Sequence, residues 1–406
     1  MGHGHSHGNH GEVEVGERAR TLLIGFLALL GVLAVAGLIW LWPSGDEVSN
    51  ALNKIADPAG ITYEDATISA ISDGCASMVE TPQGAAPCLT ATVDLRTGPD
   101  QGTKTQVELT GPQAHNGLRA GDSIELVRLP TTDGTTHYSF SGVNRMPVLI
   151  VMGVLFMLAV VAVARWKGLM AIIGLVVAGW VLLGFMLPAI IVGKPGMAVA
   201  LAGSTAIMFI VLYVAHGISL RTSAALAGTL LGLAVTTSLG ALAVGAARLS
   251  GFAEENEYDL AQLAPGINFQ ELLMVGIIIG GLGVLNDVTI TQASAVWELR
   301  AAAPQWSRMQ VFSAGMRIGR DHIASTIYTI VFAYAGSALA ILLLLYFTTR
   351  QPIDLLGTEL FAGEAVRTLA SAIGLILSVP ITTGIAALTV GPSRVPADAD
   401  PAPSAG

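Results

Sequence analysis

Long apolar runs dominate the chain and predict a bundle of membrane helices. A helix of about twenty apolar residues crosses a hydrocarbon core of ~30 Å, and eight runs reach roughly that length: residues 21–42, 147–165, 168–190, 196–215, 223–246, 271–291, 322–347 and 368–390. The first run shows no small-residue cleavage site, so we expect an uncleaved anchor and no signal peptide.

Between the first two runs the pattern changes to apolar and polar residues in alternation. Five such segments, separated by turns such as "RTGPDQG" and "RAGD", are "TYEDATISAIS", "CLTATVDL", "TQVELT", "DSIELVRL" and "HYSFSGV". Short alternating strands at this spacing predict a small OB-like β-barrel, with a generic sandwich as the alternative. The predicted organisation is a His-rich tail (1–20), an anchor (21–43), the β-domain (44–146), a seven-helix bundle (147–392) and a disordered tail (393–406).

Composition supports a membrane protein, since only 12% of residues are charged against about 25% in soluble domains. No long basic stretch indicates nucleic acid binding. Arg18 and Arg20 precede the first run, and positively charged flanks stay in the cytoplasm. Both termini are then cytoplasmic and the β-domain is outside. The other basic residues of cytoplasmic loops are Arg165, Lys167, Arg221, Arg300, Arg308, Arg317, Arg320 and Arg394.

Cysteine and histidine usage suggests two local sites. Cys75 and Cys88 both fall in the β-domain; a disulfide is expected there, with two unpaired thiols as the alternative. The N-terminal histidines lie among glycines and could bind Zn²⁺, Ni²⁺ or Cu²⁺ weakly, although a solvated tail or a tag remnant would look the same: His3, His5, His7 and His10. No other cofactor is expected.

Two segments, 221–241 and 367–387, match at eight of twenty-one aligned positions. They would begin on opposite sides of the membrane, which makes spans three to five and six to eight an inverted three-plus-three repeat of the kind found in transporters. Chance similarity between helices rich in Ala, Gly, Leu and Thr is the other interpretation. Pro380 replaces Ala234 in the second segment, and we expect Thr382 and Thr383 to bond the carbonyls that the proline frees.

Polar residues interrupt the later runs. A charge at the bilayer centre costs ~2.5–3.5 kcal/mol or more, so such groups usually face the bundle and pair with one another. We expect Asp287 to face the bundle, because glycines nearby allow close helix packing, and Arg320 to pair with Asp287 or Asp321. A static salt bridge and a proton or ion site are both open interpretations. The candidate site residues are Asn286, Asp287, Arg320, Asp321, Thr326, Thr329, Thr382 and Thr383.

No hydrolase, metalloprotease or nucleotide-binding motif occurs, and the flanks of Asp287 and Asp321 match no intramembrane protease, so no enzyme activity is expected. The leading hypothesis is a secondary transporter for a small polar or ionic solute, proton-coupled through Asp287 and Asp321. The alternative is a membrane scaffold or assembly factor whose outer domain binds a partner protein. The expected partners are the lipid bilayer, an unidentified small solute, and either a second copy of the chain or an extracytoplasmic protein.

The segments "GGLGVLNDVTITQASAVWEL", "GMRIGRDHIASTIYTIVFAYAG" and "GLILSVPITTGI" resemble the YibE/F family of bacterial multi-pass membrane proteins. The resemblance extends from the β-rich domain through the last apolar run. It implies a multi-spanning protein of the bacterial plasma membrane, and Asp287, Arg320 and Asp321 correspond to family positions. The chain departs from the family pattern at Leu285, at Asn286 and in "HIAST" after "GRD".

Overall fold

The computed structural model describes residues 16–54, 61–75, 80–81, 84–85, 88–130, 136–253, 255–347 and 351–391. The chain divides into two compact units, residues 52–163 and residues 1–51 with 164–406. The histidines of the N-terminal tail lie outside the described residues.

The smaller unit contains a curled, antiparallel half-barrel whose strands are β1 (Thr62–Asp73), β4 (Cys88–Leu95), β5 (Lys104–Thr110), β6 (Ser123–Pro130) and β7 (Thr136–Val143). Their order is β5-β4-β1-β6-β7. The two-residue strands β2 (Glu80–Thr81) and β3 (Gly84–Ala85) form a separate hairpin. All five strands predicted from the alternation are confirmed. One face of β1, β4, β5 and β6 supplies the buried core, as Ile68, Val93 and Leu126 do, and Tyr138 and Phe140 of β7 pack against it.

The disulfide between Cys75 and Cys88 is confirmed. It joins the segment after β1 to the first residue of β4, with the two Cα atoms 5.7 Å apart. Of the described residues, Cys75, Cys88 and Glu108 form the one group spaced like metal ligands. The disulfide uses both sulfurs of that group, so it offers no thiolate to a metal.

The remaining elements are helices: α1 (Glu17–Leu41), α2 (Gly45–Lys54), α3 (Met146–Val181), α4 (Leu187–Ile191), α5 (Gly196–His216), α6 (Leu220–Ala246), α7 (Glu255–Leu263), α8 (Phe269–Ala302), α9 (Arg308–Ser337), α10 (Leu339–Phe347), α11 (Pro352–Leu356) and α12 (Glu359–Thr389). A short π-helical turn, Leu182–Met186, joins α3 to α4. Side-chain caps fix the starts of three long helices: Ser219 caps α6, Asn268 caps α8, and Ser307 forms a capping box with Gln310 in α9.

Six helical stretches of the described chain are long and apolar enough to cross a membrane, so the count of eight is not confirmed. The stretch Met146–Ile191 counts as one candidate, although its backbone is non-helical at Arg165. The predicted span 322–347 is divided between α9 and α10, and α9 is not among the candidates. Its polar residues lower its hydropathy below that of its neighbours.

Helices α6, α8 and α12 form the centre of the bundle. Each of the three packs against the other two, and α9 packs against α8 and α12. Small residues make this close packing possible. Gly232 of α6, Leu285 of α8 and Ser378 of α12 meet at one point, where a Cβ added to the glycine would lie 2.9 Å from both neighbours.

Candidate functional site

The crossing of α6 and α12 is built from reciprocal glycine–threonine contacts. The hydroxyl of Thr382 in α12 lies against Gly228 of α6, and the hydroxyl of Thr236 in α6 lies against Gly374 of α12. Glycine allows this approach because it has no Cβ, and its Cα–H group can contact a hydroxyl oxygen. The two helices therefore meet through equivalent contacts on either side of Gly232 and Ser378.

Helix α8 adds hydrogen-bonding groups to this crossing. Thr229 of α6 and Thr289 of α8 share a hydrogen bond of 2.6 Å between their hydroxyls. The Gln292 amide nitrogen donates to the carbonyl of Gly315 in α9 at 2.7 Å and to the hydroxyl of Thr383 in α12 at 2.8 Å. One amide thus links three helices.

Together these side chains form a buried polar seam without a charged member. Every residue of the polar seam is at most 8% exposed: Thr229, Thr236, Thr237, Thr289, Gln292, Ser371, Ser378, Thr382 and Thr383. The Thr236, Ser371 and Thr382 hydroxyls have no hydrogen-bond partner among the described residues. Unpaired polar groups are unusual in a protein interior. The polar seam therefore has unused capacity to donate and accept hydrogen bonds.

Two of the unpaired hydroxyls lie at one junction of three helices. A Cβ added to Gly281 of α8 would lie 3.3 Å from the Thr236 methyl group and 3.5 Å from the Ser371 hydroxyl oxygen. The junction occurs about halfway along α6 and within the apolar part of α8 and α12. The two hydroxyls of this junction are neutral groups that can donate and accept hydrogen bonds.

The predicted charged residues lie elsewhere. Asp287, Arg320 and Asp321 are exposed, and no ion pair joins any of them to another residue in the described part of the chain. The expectations that Asp287 faces the bundle and that Arg320 pairs with Asp287 or Asp321 are wrong. Asp287 is two positions from both Leu285 and Thr289, which face inward, so it projects from the opposite side of α8. Asn286 is half-buried, and its side-chain oxygen has no hydrogen-bond partner in the described part of the chain.

The predicted threonines divide between two environments. Thr382 and Thr383 belong to the polar seam, whereas the hydroxyls of Thr326 and Thr329 donate to the carbonyls of His322 and Ser325 in their own helix. The expected role beside Pro380 is also wrong. Proline at 380 frees the carbonyl of residue 376, but Thr383 donates to Val379, and the Thr382 hydroxyl has no partner among the residues that the structure describes.

Sequence reasoning missed Thr236, Thr289, Gln292 and Ser371 as site residues. The helical phase of α8 contained a usable signal, because Leu285, Thr289, Gln292 and Val296 recur at intervals of three and four and all are buried. That interval selects one helix face. The charge of Asp287 drew the prediction to that residue, whereas the neutral amide of Gln292 is the group that faces inward.

A large apolar groove of about 870 Å³ lies between α1 and the helices α6 and α12, away from the polar seam. Its lining is mostly apolar and includes Leu22, Phe26, Leu231, Ile385 and Leu388, with Glu17, Arg18 and Arg308 also present. In a membrane protein such a lining is suited to lipid chains. We therefore place the candidate functional site at the polar seam and not at this groove.

Comparison with known proteins identifies one family. Neither the curated proteins nor the solved structures give a significant match to the chain. The family model described as YibE/F-like protein matches residues 152–392, which include every helix that contributes to the polar seam. Since that match covers more than half of the 406 residues, the chain belongs to the YibE/F-like protein family.

Proposed function

We propose that the chain is a secondary transporter, or permease, for a small polar solute that passes along the polar seam. The observation that carries the proposal is the three-helix junction at Gly281, where the Thr236 methyl group and the Ser371 hydroxyl approach the glycine. Neither the Thr236 nor the Ser371 hydroxyl has a hydrogen-bond partner among the described residues. Polar groups within a membrane are costly, and they commonly mark a substrate or ion pathway. Neutral hydroxyl and amide groups suit a solute that offers several hydrogen-bonding groups.

The crossing of α6 and α12 supports an inverted repeat as the framework for transport. Gly228 and Gly374 are equivalent in the alignment of the two segments, and so are Thr236 and Thr382. Each glycine contacts the threonine of the other segment. A two-fold axis in the membrane plane would produce such reciprocal contacts, and transporters often place the substrate site at such an axis.

The proposed topology has eight spans with both termini in the cytoplasm of a bacterial cell. The stretch Met146–Ile191 has 46 residues and would extend about 69 Å as one helix at ~1.5 Å per residue. This is more than twice the ~30 Å hydrocarbon core, so the break at Arg165 favours two spans, and α9 with α10 supplies another. Asn116→Cys should react with an impermeant thiol reagent on intact cells and Gln305→Cys should not; the reverse pattern would overturn the orientation.

A scaffold function is the second candidate, because the sheet forms a compact unit with its own core. The order β5-β4-β1-β6-β7 and the approach of β5 to β7 favour an OB-like, partly open barrel. Deleting residues 61–143 separates the two functions. A transporter would keep solute-dependent activity in the remaining bundle, whereas a scaffold that acts through this domain would lose all function.

Metabolite profiling tests the proposal directly. Cells lacking the protein, cells expressing it and cells expressing Ser371→Ala should be compared for the solutes that they retain. We expect a polar metabolite to change with expression and to return to the deletion level in the variant. No difference between expressing and deletion cells would contradict transport. Proton coupling through Asp287 and Asp321 stays a prediction. Both carboxylates lie outside the polar seam.

A further inference from the structure

Helices α8 and α9 form a surface that carries exposed charges of both signs. On α8, Gly283, Asp287 and Thr291 are exposed at intervals of four residues and so form one strip. On α9, the exposed residues include Arg317, Arg320, Asp321 and Ala324. We call these seven residues the charged face. None of its ionisable side chains has an ion pair within the described chain.

Asp287 and Arg320 lie on the side where α8 and α9 meet. Tyr334 of α9 approaches Gly280 of α8. Asp287 follows Gly280 by seven residues, about two helical turns, and Arg320 precedes Tyr334 by fourteen, about four turns. Both side chains therefore project from the same side of the helix pair as that contact.

In the proposed topology Arg221 is cytoplasmic and marks the membrane surface, and measured from that surface Asp287 of the charged face lies at membrane depth. Glu298 of α8 pairs with Arg221 at the start of α6, at 4.0 Å. Asp287 precedes Glu298 by 298 − 287 = 11 residues in α8, which corresponds to roughly 16 Å at ~1.5 Å per residue. This distance is about half of the ~30 Å hydrocarbon core. Gln292 also contacts Gly319, beside Arg320, so the basic group lies within a few turns of Asp287.

Lipid is an unfavourable neighbour for such a surface, because intramembrane charges normally face protein or water. Other helices of the chain also cover little of α9. Of its 30 residues, five are buried: Val311, Ala314, Gly315, Gly319 and Ile330. An apolar helix would cover the charges without neutralising them. The partner must therefore supply charges of both signs.

We propose that the charged face is the interface of a homodimer in which Asp287 of each copy pairs with Arg320 of the other. A two-fold axis presents the same surface of both subunits to each other. A face with an acid on α8 and a base on α9 is complementary to itself under such an axis. The inference does not depend on the proposed transport function.

Charge exchange in trans provides the test. Asp287→Arg and Arg320→Asp should each weaken dimerisation about a hundredfold or more, because like charges would meet at both contacts. Co-expressed with different affinity tags, the two variants should purify together, since their heterodimer restores both opposite-charge contacts. Recovery only when both changes are in one chain would overturn the proposal, because it would indicate a pair within the chain.

Cross-linking gives a readout that tolerates a loss of yield. Ala324 of α9 and Ala234 of α6 are both exposed, and the native cysteines are joined to each other. Oxidation of membranes containing Ala324→Cys should give several-fold more covalent dimer than oxidation of those containing the matched control Ala234→Cys. Equal cross-linking, or a monomeric wild-type protein both in mild detergent and in liposomes, would also overturn the proposal.

Discussion

Gly228 of α6 packs directly against the hydroxyl of Thr382 in α12. A Cβ at this glycine would also lie 2.9 Å from the Thr382 Cβ and 3.2 Å from its Cα, so rotation of the threonine alone cannot make room. Gly228→Ala should therefore destabilise the bundle by about 1–3 kcal/mol. Thermal unfolding of the purified protein measures the loss.

Gly245→Ala is the matched control in the same helix. A Cβ there meets nothing within 4 Å, and alanine favours helix by up to about 1 kcal/mol over glycine. This variant should be as stable as the wild-type protein or slightly more so. Equal melting temperatures for the two alanine variants would contradict the close approach of α6 and α12.

The Gln292 amide should couple α8 to α12 energetically. Gln292→Leu keeps the side chain's bulk but removes its hydrogen bonds to Gly315 and Thr383, which should cost about 1–2 kcal/mol. A double-mutant cycle with Thr383→Val should give a coupling energy of ~0.6 kcal/mol, at most ~1.7. Thr326→Val, which removes a hydroxyl bonded within α9, should show no coupling to Gln292.

The Cys75–Cys88 disulfide should stabilise the sheet and leave the bundle unaffected. It closes a loop with a sequence separation of 13, for which loop-closure entropy gives roughly 3 kcal/mol. Replacing both cysteines with serine should speed amide hydrogen exchange in β1 and β4. Exchange in α6 is the internal control, and faster exchange in both places would indicate a global effect.

Tyr138 should contribute to the stability of the sheet, and this contribution should be lost at alkaline pH. Burial, followed by the 2.6 Å hydrogen bond that its hydroxyl donates to Asp100, raises the pKa of Tyr138. Since the folded pKa is raised, this stability is complete below the unfolded value of about 10 and is lost as pH rises through the folded value. A difference titration of tyrosine absorbance between the wild-type protein and Tyr138→Phe should show a midpoint above that of a free tyrosine, and a midpoint at or below it would contradict this assignment.

The elements with a one-sided pattern could be predicted from the sequence. In β4, Ala91, Val93 and Leu95 alternate with less buried residues, so the strand and its inner face follow from the letters alone. The disulfide could be predicted because both cysteines fall in the one extended polar region. These features depend on local patterns.

The orientation of α8 could not be predicted in the same way. Its first half, including Ile277, Ile278 and Ile279, is apolar on every side, so hydrophobicity does not identify the inner face. That face is set by the contact of Gly281 with Thr236 and Ser371, which belong to α6 and α12, two helices that are distant from α8 in the sequence. The residues of the polar seam therefore come together only when α6, α8 and α12 pack in the folded bundle.

Solute flux through reconstituted protein tests the central claim most directly. Ser371 of the polar seam and Ser204 of α5 are both fully buried, and neither hydroxyl has a partner among the described residues, which makes them a matched pair. With the solute identified by metabolite profiling, Ser371→Ala should lower uptake into proteoliposomes by about tenfold, roughly one hydrogen bond in free energy, without lowering the melting temperature. Ser204→Ala should transport at the wild-type rate. Wild-type uptake by Ser371→Ala, and by the double variant with Thr236→Val, would contradict transport along the polar seam.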